Sequence, residues 1–167
     1  AAFTEADLYM RQGVIVDAEG MWSDTAYAAL PLDPDLNGFR DLFLYENRAG
    51  QIPDLQKTPR IEGTSYMIGN AGWGNFAHWM MNSLFAAYVV GDRVRRDGGR
   101  ILCPPLPGYA RESLHLLGLD SLVVERAEPK VRAARLIYPS YLSTHFNMFP
   151  SRQVCSFVEH IKNRAQA

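Results

Sequence analysis

Ser65-Tyr-Met-Ile-Gly-Asn-Ala-Gly-Trp-Gly-Asn75-Phe-Ala-His78-Trp79 is a short apolar run that breaks into a glycine-rich turn and then into a helical pattern. The run Ser65–Ile68 has the length and composition of a buried strand. Asn75 is a good N-cap, because its side-chain oxygen can accept from a free N–H of the first turn, and the spacing predicts a helix from there to about Val90. A strand that leads through glycines into a helix N-terminus is a common anion-binding arrangement, since uncapped N–H groups point out of the helix end. The glycines fall at positions 69, 72 and 74, out of register with GxGxxG, and no Gly-Lys-Ser/Thr follows as in a P-loop. On this pattern alone the turn fits both a ligand cradle and a simple tight connection.

The predicted helix carries two apolar stripes. Phe76, Trp79, Met80, Ser83, Leu84 and Ala87 form one. His78, Met81, Asn82, Phe85 and Val89 form the other. A helix apolar almost all round is expected to be buried on more than one side. His78 and Asn82 stand four residues apart and so on one face. A polar pair there needs hydrogen-bond partners. That fits a core histidine bonded to backbone or to Asn82, and equally a histidine aimed into a cleft as base or substrate ligand.

Downstream, Gly91-Asp92 and Asp97-Gly-Gly99 punctuate the helix exit. Arg100–Cys103 reads as a strand stopped by Pro104-Pro105, Tyr109–Leu117 as a helix capped by Gly118, and Leu122–Val124 and Val131–Tyr138 as strands. A last helix is expected from Ser151 to about Arg164. Alternating strands and helices imply βαβ units and a mainly parallel sheet, so residues 61–167 are expected to form an open, Rossmann-like α/β domain. Upstream, Val14–Asp17 and Leu42–Tyr45 read as strands. Asp33-Pro-Asp35 and Asn37-Gly38 are turn signals, and residues 51–60 are a connector holding Pro53 and Pro59. Residues 1–60 therefore read as a β-rich extension.

At 167 residues the chain suits one core, and 47% hydrophobic with 21% charged residues excludes disordered and fibrous classes. A net charge of −1 argues against polyanion binding by bulk charge, but residues 1–60 sum to −5 and residues 121–167 to +4. The basic end could face phosphates, anionic lipid or an acidic partner; it also fits a solvated arginine-rich face. Aromatics are not interleaved with bases, so no nucleic-acid partner is expected. Cys103 and Cys155 form no CxxC pair, which fits a reducing compartment or indifference to redox. Residues 1–20 lack a signal-peptide core, although a chain opening on Ala1-Ala2 leaves an upstream leader open. No apolar run nears the roughly 20 residues of a membrane span. Four scattered histidines and two distant cysteines give no metal-ligand spacing, so no metal and no cofactor is expected. His115 and His160 read as structural or solvated. His145, in the polar loop Ser143–Asn147 after a strand, could reach a cleft.

The string Gly74-Asn-Phe-Ala-His78-Trp79 before an apolar helix resembles the signature of glycosyltransferase family 61. Ile101-Leu-Cys-Pro-Pro105, then Tyr109, Arg111 and Leu114-His-Leu-Leu-Gly118-Leu, is similar to the family's next strand and helix. Val131 to Pro139-Ser140 is similar to the strand after that. Where members often carry an acid after His-Trp, this chain has Met80-Met81-Asn82. The resemblance covers residues 63–165 and only the first half of such an enzyme. It implies one half of a GT-B-like architecture that moves a sugar, with inversion, from a nucleotide-sugar to an acceptor hydroxyl, as in polysaccharide biosynthesis. The chain would be the acceptor-side half, incomplete alone, facing a missing C-terminal α/β domain or a partner chain, and cytoplasmic or peripheral to a membrane. It implies His78 as catalytic residue and Gly72, Trp73, Gly74, Asn75, Trp79, Asn82 and His145 as substrate-binding residues. The other reading is a non-catalytic Rossmann-like module that binds a glycan or nucleotide, or serves in assembly.

Overall fold

The computed structural model describes residues 1–10, 13–21, 44–45, 48–49, 58–69, 74–139 and 152–166. Its strands are β1 (Ala2–Tyr9), β2 (Val14–Asp17), β3 (Gly20–Met21), β4 (Leu44–Tyr45), β5 (Arg48–Ala49), β6 (Arg60–Met67), β7 (Arg100–Cys103), β8 (Val123–Glu125) and β9 (Lys130–Ile137). Helix α1 is continuous through Phe76–His78, the π-helical turn Trp79–Leu84 and Phe85–Arg96. Helices α2 (Gly108–Leu116) and α3 (Arg152–Ala165) follow. The chain is α/β. The turn signals at 33–38, the connector at 51–57 and the loop at 143–147 lie outside the described residues.

Seven strands form one mixed sheet in the order β3-β2-β1-β9-β6-β7-β8. The block β9-β6-β7-β8 is parallel, and β1 joins it antiparallel to β9. The stretch read as a β-rich extension thus adds three strands to the same sheet, while β4 and β5 form a separate ribbon. Residues 126–129 link β8 to β9 with no helix, unlike the helical crossover of a doubly wound unit.

The period of two sorts the strands onto two faces. Tyr66, Ile101, Cys103 and Ile137 point to one face and pack with all three described helices through Trp79, Leu84, Ala87, Leu114 and Phe157. Met67, Leu102, Val131, Ala133 and Leu136 point to the other and join Phe3, Ala6, Leu8 and Ile15 in a second core.

Strand β1 was not expected from the alternation of its residues. Phe3, Ala6 and Leu8 share the second core, so the period slips by one between Phe3 and Ala6. Glu5 takes up the slip at φ 52. In β9, Ala133 and Leu136 share the same core across an equal slip. In β6 the register against β9 shifts between Ile61 and Thr64, where Gly63 sits at φ 77. The three irregularities lie side by side across β1, β9 and β6, which re-aims the outer ends of these strands.

Two expectations about α1 change. The helix does not stop near Val90; it runs to Arg96 with Gly91 inside it. Gly91 is used for close packing, because a Cβ there would stand 2.9 Å from Leu119 Cδ2. The π turn also closes hydrogen bonds five residues apart instead of four. His78 stands just before this turn and Asn82 inside it, so the four-residue spacing of a regular α-helix does not apply between them.

Gly63→Ala is expected to cost about 1–2 kcal/mol, the price of a left-handed backbone for a residue with a Cβ. No atom lies within 4 Å of the added methyl, so the cost is conformational and not steric. Urea unfolding reads it directly; an unchanged midpoint would mean that β6 does not need the bulge.

Candidate functional site

Three parallel strands bring their exits to one edge. After β6 come Gly74 and Asn75, exposed, and the first turn of α1. Asn75 caps that turn: its Oδ1 accepts from the His78 N–H at 3.2 Å and its carbonyl from the Trp79 N–H at 2.8 Å. The cap leaves the helix's positive end at this edge, with the His78 ring half-buried one turn in. After β7, the proline turn Pro104–Pro107 opens α2, whose first residues include Tyr109. Glu125 is the last residue of β8.

Trp79 is fully buried. Its indole N–H donates to Ser113 Oγ at 2.8 Å, and Ser113 in turn donates to the Ala110 carbonyl at 2.8 Å. Trp79 therefore ties α1 to α2 and offers no ring to solvent. Asn82 is half-buried in the π turn. Gly72, Trp73 and His145 lie outside the described residues. The structure thus brings Gly74, Asn75 and His78 to the edge and sends Trp79 into the core.

Phe76 is the residue that the stripe pattern misplaces. Its stripe is buried, yet Phe76 itself is 60% exposed, because the sheet ends beneath it. Its ring meets Tyr109 edge-on, with centroids 5.3 Å apart and planes at 77°. The Tyr109 hydroxyl is buried and has no hydrogen-bond partner among the described residues. An aromatic directly after an N-cap is the sequence signal that could have marked this position.

Glu125 holds the proline turn in place. Its carboxylate accepts from Arg111 Nε at 2.6 Å, from a second Arg111 nitrogen at 2.7 Å and from the Leu106 N–H at 3.0 Å. The Arg111 hydrogen bonds, followed by the Leu106 N–H, hold this carboxyl below the usual range despite partial burial. Cys103, one strand away, is no nucleophile: burial, then Glu125, pushes its thiol up to about 12. His115 is exposed, 3.3 Å from Asp120, and His160 packs on the Tyr88 ring at 5.3 Å. Among the described residues no group of His, Cys, Asp and Glu could hold a metal ion, and no helix is long and apolar enough to cross a membrane.

The chain matches no protein-family model, no curated protein and no solved structure.

The Glu125 clamp makes an acid-sensitive contribution to stability. A carboxyl depressed in the folded state binds its proton more weakly there than in the unfolded chain. Its stabilisation is complete above the unfolded value of about 4.3 and is lost as the pH falls through the lower folded value. Glu125→Gln is expected to destabilise the protein at pH 7 and to flatten the fall in stability below about pH 4.5. Thermal melts of both proteins between pH 3 and 7 test this; parallel acid limbs would remove the clamp's role.

Proposed function

We propose that this chain is the acceptor-side domain of an inverting, nucleotide-sugar-dependent glycosyltransferase, with a Rossmann-like domain as one half of a GT-B-like enzyme. The observation that carries the reading is His78. It sits half-buried in the first turn of a capped helix, at the carboxyl end of a central parallel strand, two residues from an exposed aromatic ring. The order β8-β7-β6-β9 supports it, because β6 is both the first strand of its block and an inner one. Chain direction across the sheet thus reverses beside β6, and open sheets take their ligands at such points.

In this reading the acceptor sugar lies over Phe76 and Tyr109, whose apolar faces and orphan hydroxyl suit a polyol with C–H and O–H groups on one ring. His78 takes the proton of the acceptor hydroxyl as that oxygen attacks the anomeric carbon, and the nucleoside diphosphate leaves from the opposite side. Stabilising the leaving group falls to the second half of the enzyme or to a partner chain. No residue described here is asked to hold a metal.

The second reading is a glycan- or nucleotide-binding module without catalysis. Phe76 at 60% and Met81 at 36% exposure, both at the N-terminal end of α1, favour a recognition surface there.

The two readings part at His78. In an enzyme that contains both halves, His78→Ala is expected to lower kcat at least about 100-fold, the scale of a lost general base, with little change in glycan affinity. Wild-type kcat in that variant would return His78 to a structural role and leave the binding module as the better account. Tyr109→Phe is expected to leave the unfolding midpoint unchanged, since the hydroxyl has no partner to lose among the described residues. It should raise KM for the acceptor roughly 5- to 10-fold, as one neutral hydrogen bond is worth about 1 kcal/mol. An unaltered KM would separate Tyr109 from the acceptor.

A further inference from the structure

The π turn Trp79–Leu84 interrupts a helix whose two ends are regular, and the burial of the residues around it shows what the interruption does. A regular helix turns about 100° per residue. Counted back from Ala87, which is fully buried in the core, Met80 would stand about 20° to one side of it and Phe76 about 20° to the other. Trp79 would stand about 80° away, on the flank. The observed burial differs: Trp79 is 0% exposed, Met80 is partly buried and Phe76 is 60% exposed. One extra residue in the turn accounts for all three. It moves Trp79 into the place that Met80 would hold, about 20° from Ala87, and swings Phe76 out to about 80°. The end of the sheet leaves that flank uncovered, and the turn decides which ring is aimed at it.

The same residues also satisfy the regular register. Phe76, Met80, Leu84 and Ala87 recur at helical spacing as an unbroken apolar stripe. In that register Phe76 and Met80 would cover the core, the backbone would regain its four-residue hydrogen bonds, and Trp79 would leave its place. The observed register instead keeps Trp79 buried with its hydrogen bond to Ser113 at 2.8 Å, together with a wide turn and an exposed phenyl ring. Each register buries one large aromatic and releases the other. We propose that the start of α1 is a two-register switch, with a displayed state (Phe76 out, Trp79 in) and a withdrawn state in which the two exchange. Residues beyond the turn keep their places in both states, because Phe85, Ala87, Val90 and Val94 are all buried in one regular helix. The Trp79–Ser113 bond is the catch of the displayed state. A ligand that meets the Phe76 ring binds that state alone and so selects it. The exchange operates whether the edge catalyses or only binds.

Backbone amide relaxation dispersion on the whole chain tests the switch, since register shifts of helices fall in the μs–ms range. Exchange is expected at residues 76–84 and not at 86–96. Ser113→Ala removes the acceptor of the indole N–H and should raise the withdrawn population at least about 5-fold, the equivalent of one hydrogen bond of about 1 kcal/mol. Phe76→Ala removes the ring that fills the core in the withdrawn state and should quench the exchange, whereas simple fraying of the helix end would survive it. Deletion of Met81, which is 36% exposed, takes the extra residue out. A regular helix then holds Trp79 in and Phe76 out, so this variant should melt no lower than the parent and show no exchange. The proposal is overturned by the absence of exchange at residues 76–84 in both the parent and Ser113→Ala. It is equally overturned by exchange that persists in Phe76→Ala, or by a Met81 deletion that melts well below the parent.

Discussion

Strand β9 is hydrogen-bonded along both edges, parallel to β6 on one side and antiparallel to β1 on the other. The architecture depends on that double pairing, because it joins a parallel block with helices on one face to an antiparallel block that comes from the start of the chain. The seam is ionic as well as hydrogen-bonded. Asp7 of β1 accepts from Arg132 of β9 at 2.7 and 3.1 Å and lies 3.6 Å from the Lys130 ammonium, with Asp7 and Lys130 both buried. A buried carboxylate with two cations fixes which residues of the two strands stand opposite each other, since a slip would strand a charge away from water. The aligned irregularities at Glu5, Gly63 and residues 133–136 then become a requirement: a strand paired on both sides can slip phase only if its neighbours slip with it.

The helix layer is organised around a different restraint. Trp79 packs in the core between the helices and the sheet and bonds Ser113 across to α2, so it ties the two helices together. This sets the position of the residues around it. With Trp79 locked inward, Phe76 one turn earlier extends past the end of the sheet, and His78 stands at the boundary between core and solvent. The π turn begins at Trp79, so the widened helix starts where the buried anchor does. Wide turns of this kind recur at functional sites, where an extra residue re-aims side chains without ending the helix. On the far side, Arg111 and Glu125 fix the proline turn beneath Tyr109. Two sides of the edge are thus held by hydrogen bonds between side chains.

Much of this was legible along the chain. Strong local signals located β2, β7, β9 and α3 to within a residue or two, because Val14–Asp17, Arg100–Cys103, Val131–Tyr138 and the final amphipathic run carry their own period and their own stops. The N-cap of Asn75 and the C-cap of Gly118, at φ 64, were likewise readable from residue type. Strand β1 was not, because Glu5 interrupts its alternation and only the partner strand shows that the slip is shared. Gly91 misled in the other direction: it has the look of a stop signal and is in fact a contact point for Leu119. Residue types placed Gly74, Asn75 and His78 at the start of the helix but could not tell Trp79 from Phe76. Both are aromatic, both lie on one predicted stripe, and only the packing against the sheet separates buried from exposed.

The sequence by itself determined the α/β class, the strand–glycine–helix unit around Asn75 and His78, and the absence of a long apolar span, since each rests on short-range chemistry: periodicity, caps and turn residues. The tertiary structure alone decided that the first three strands extend the same sheet and that Trp79 anchors while Phe76 is displayed. Each of these depends on which surfaces meet across distant parts of the chain. Burial is a property of the packed neighbours, and a residue's own type records only what it tolerates.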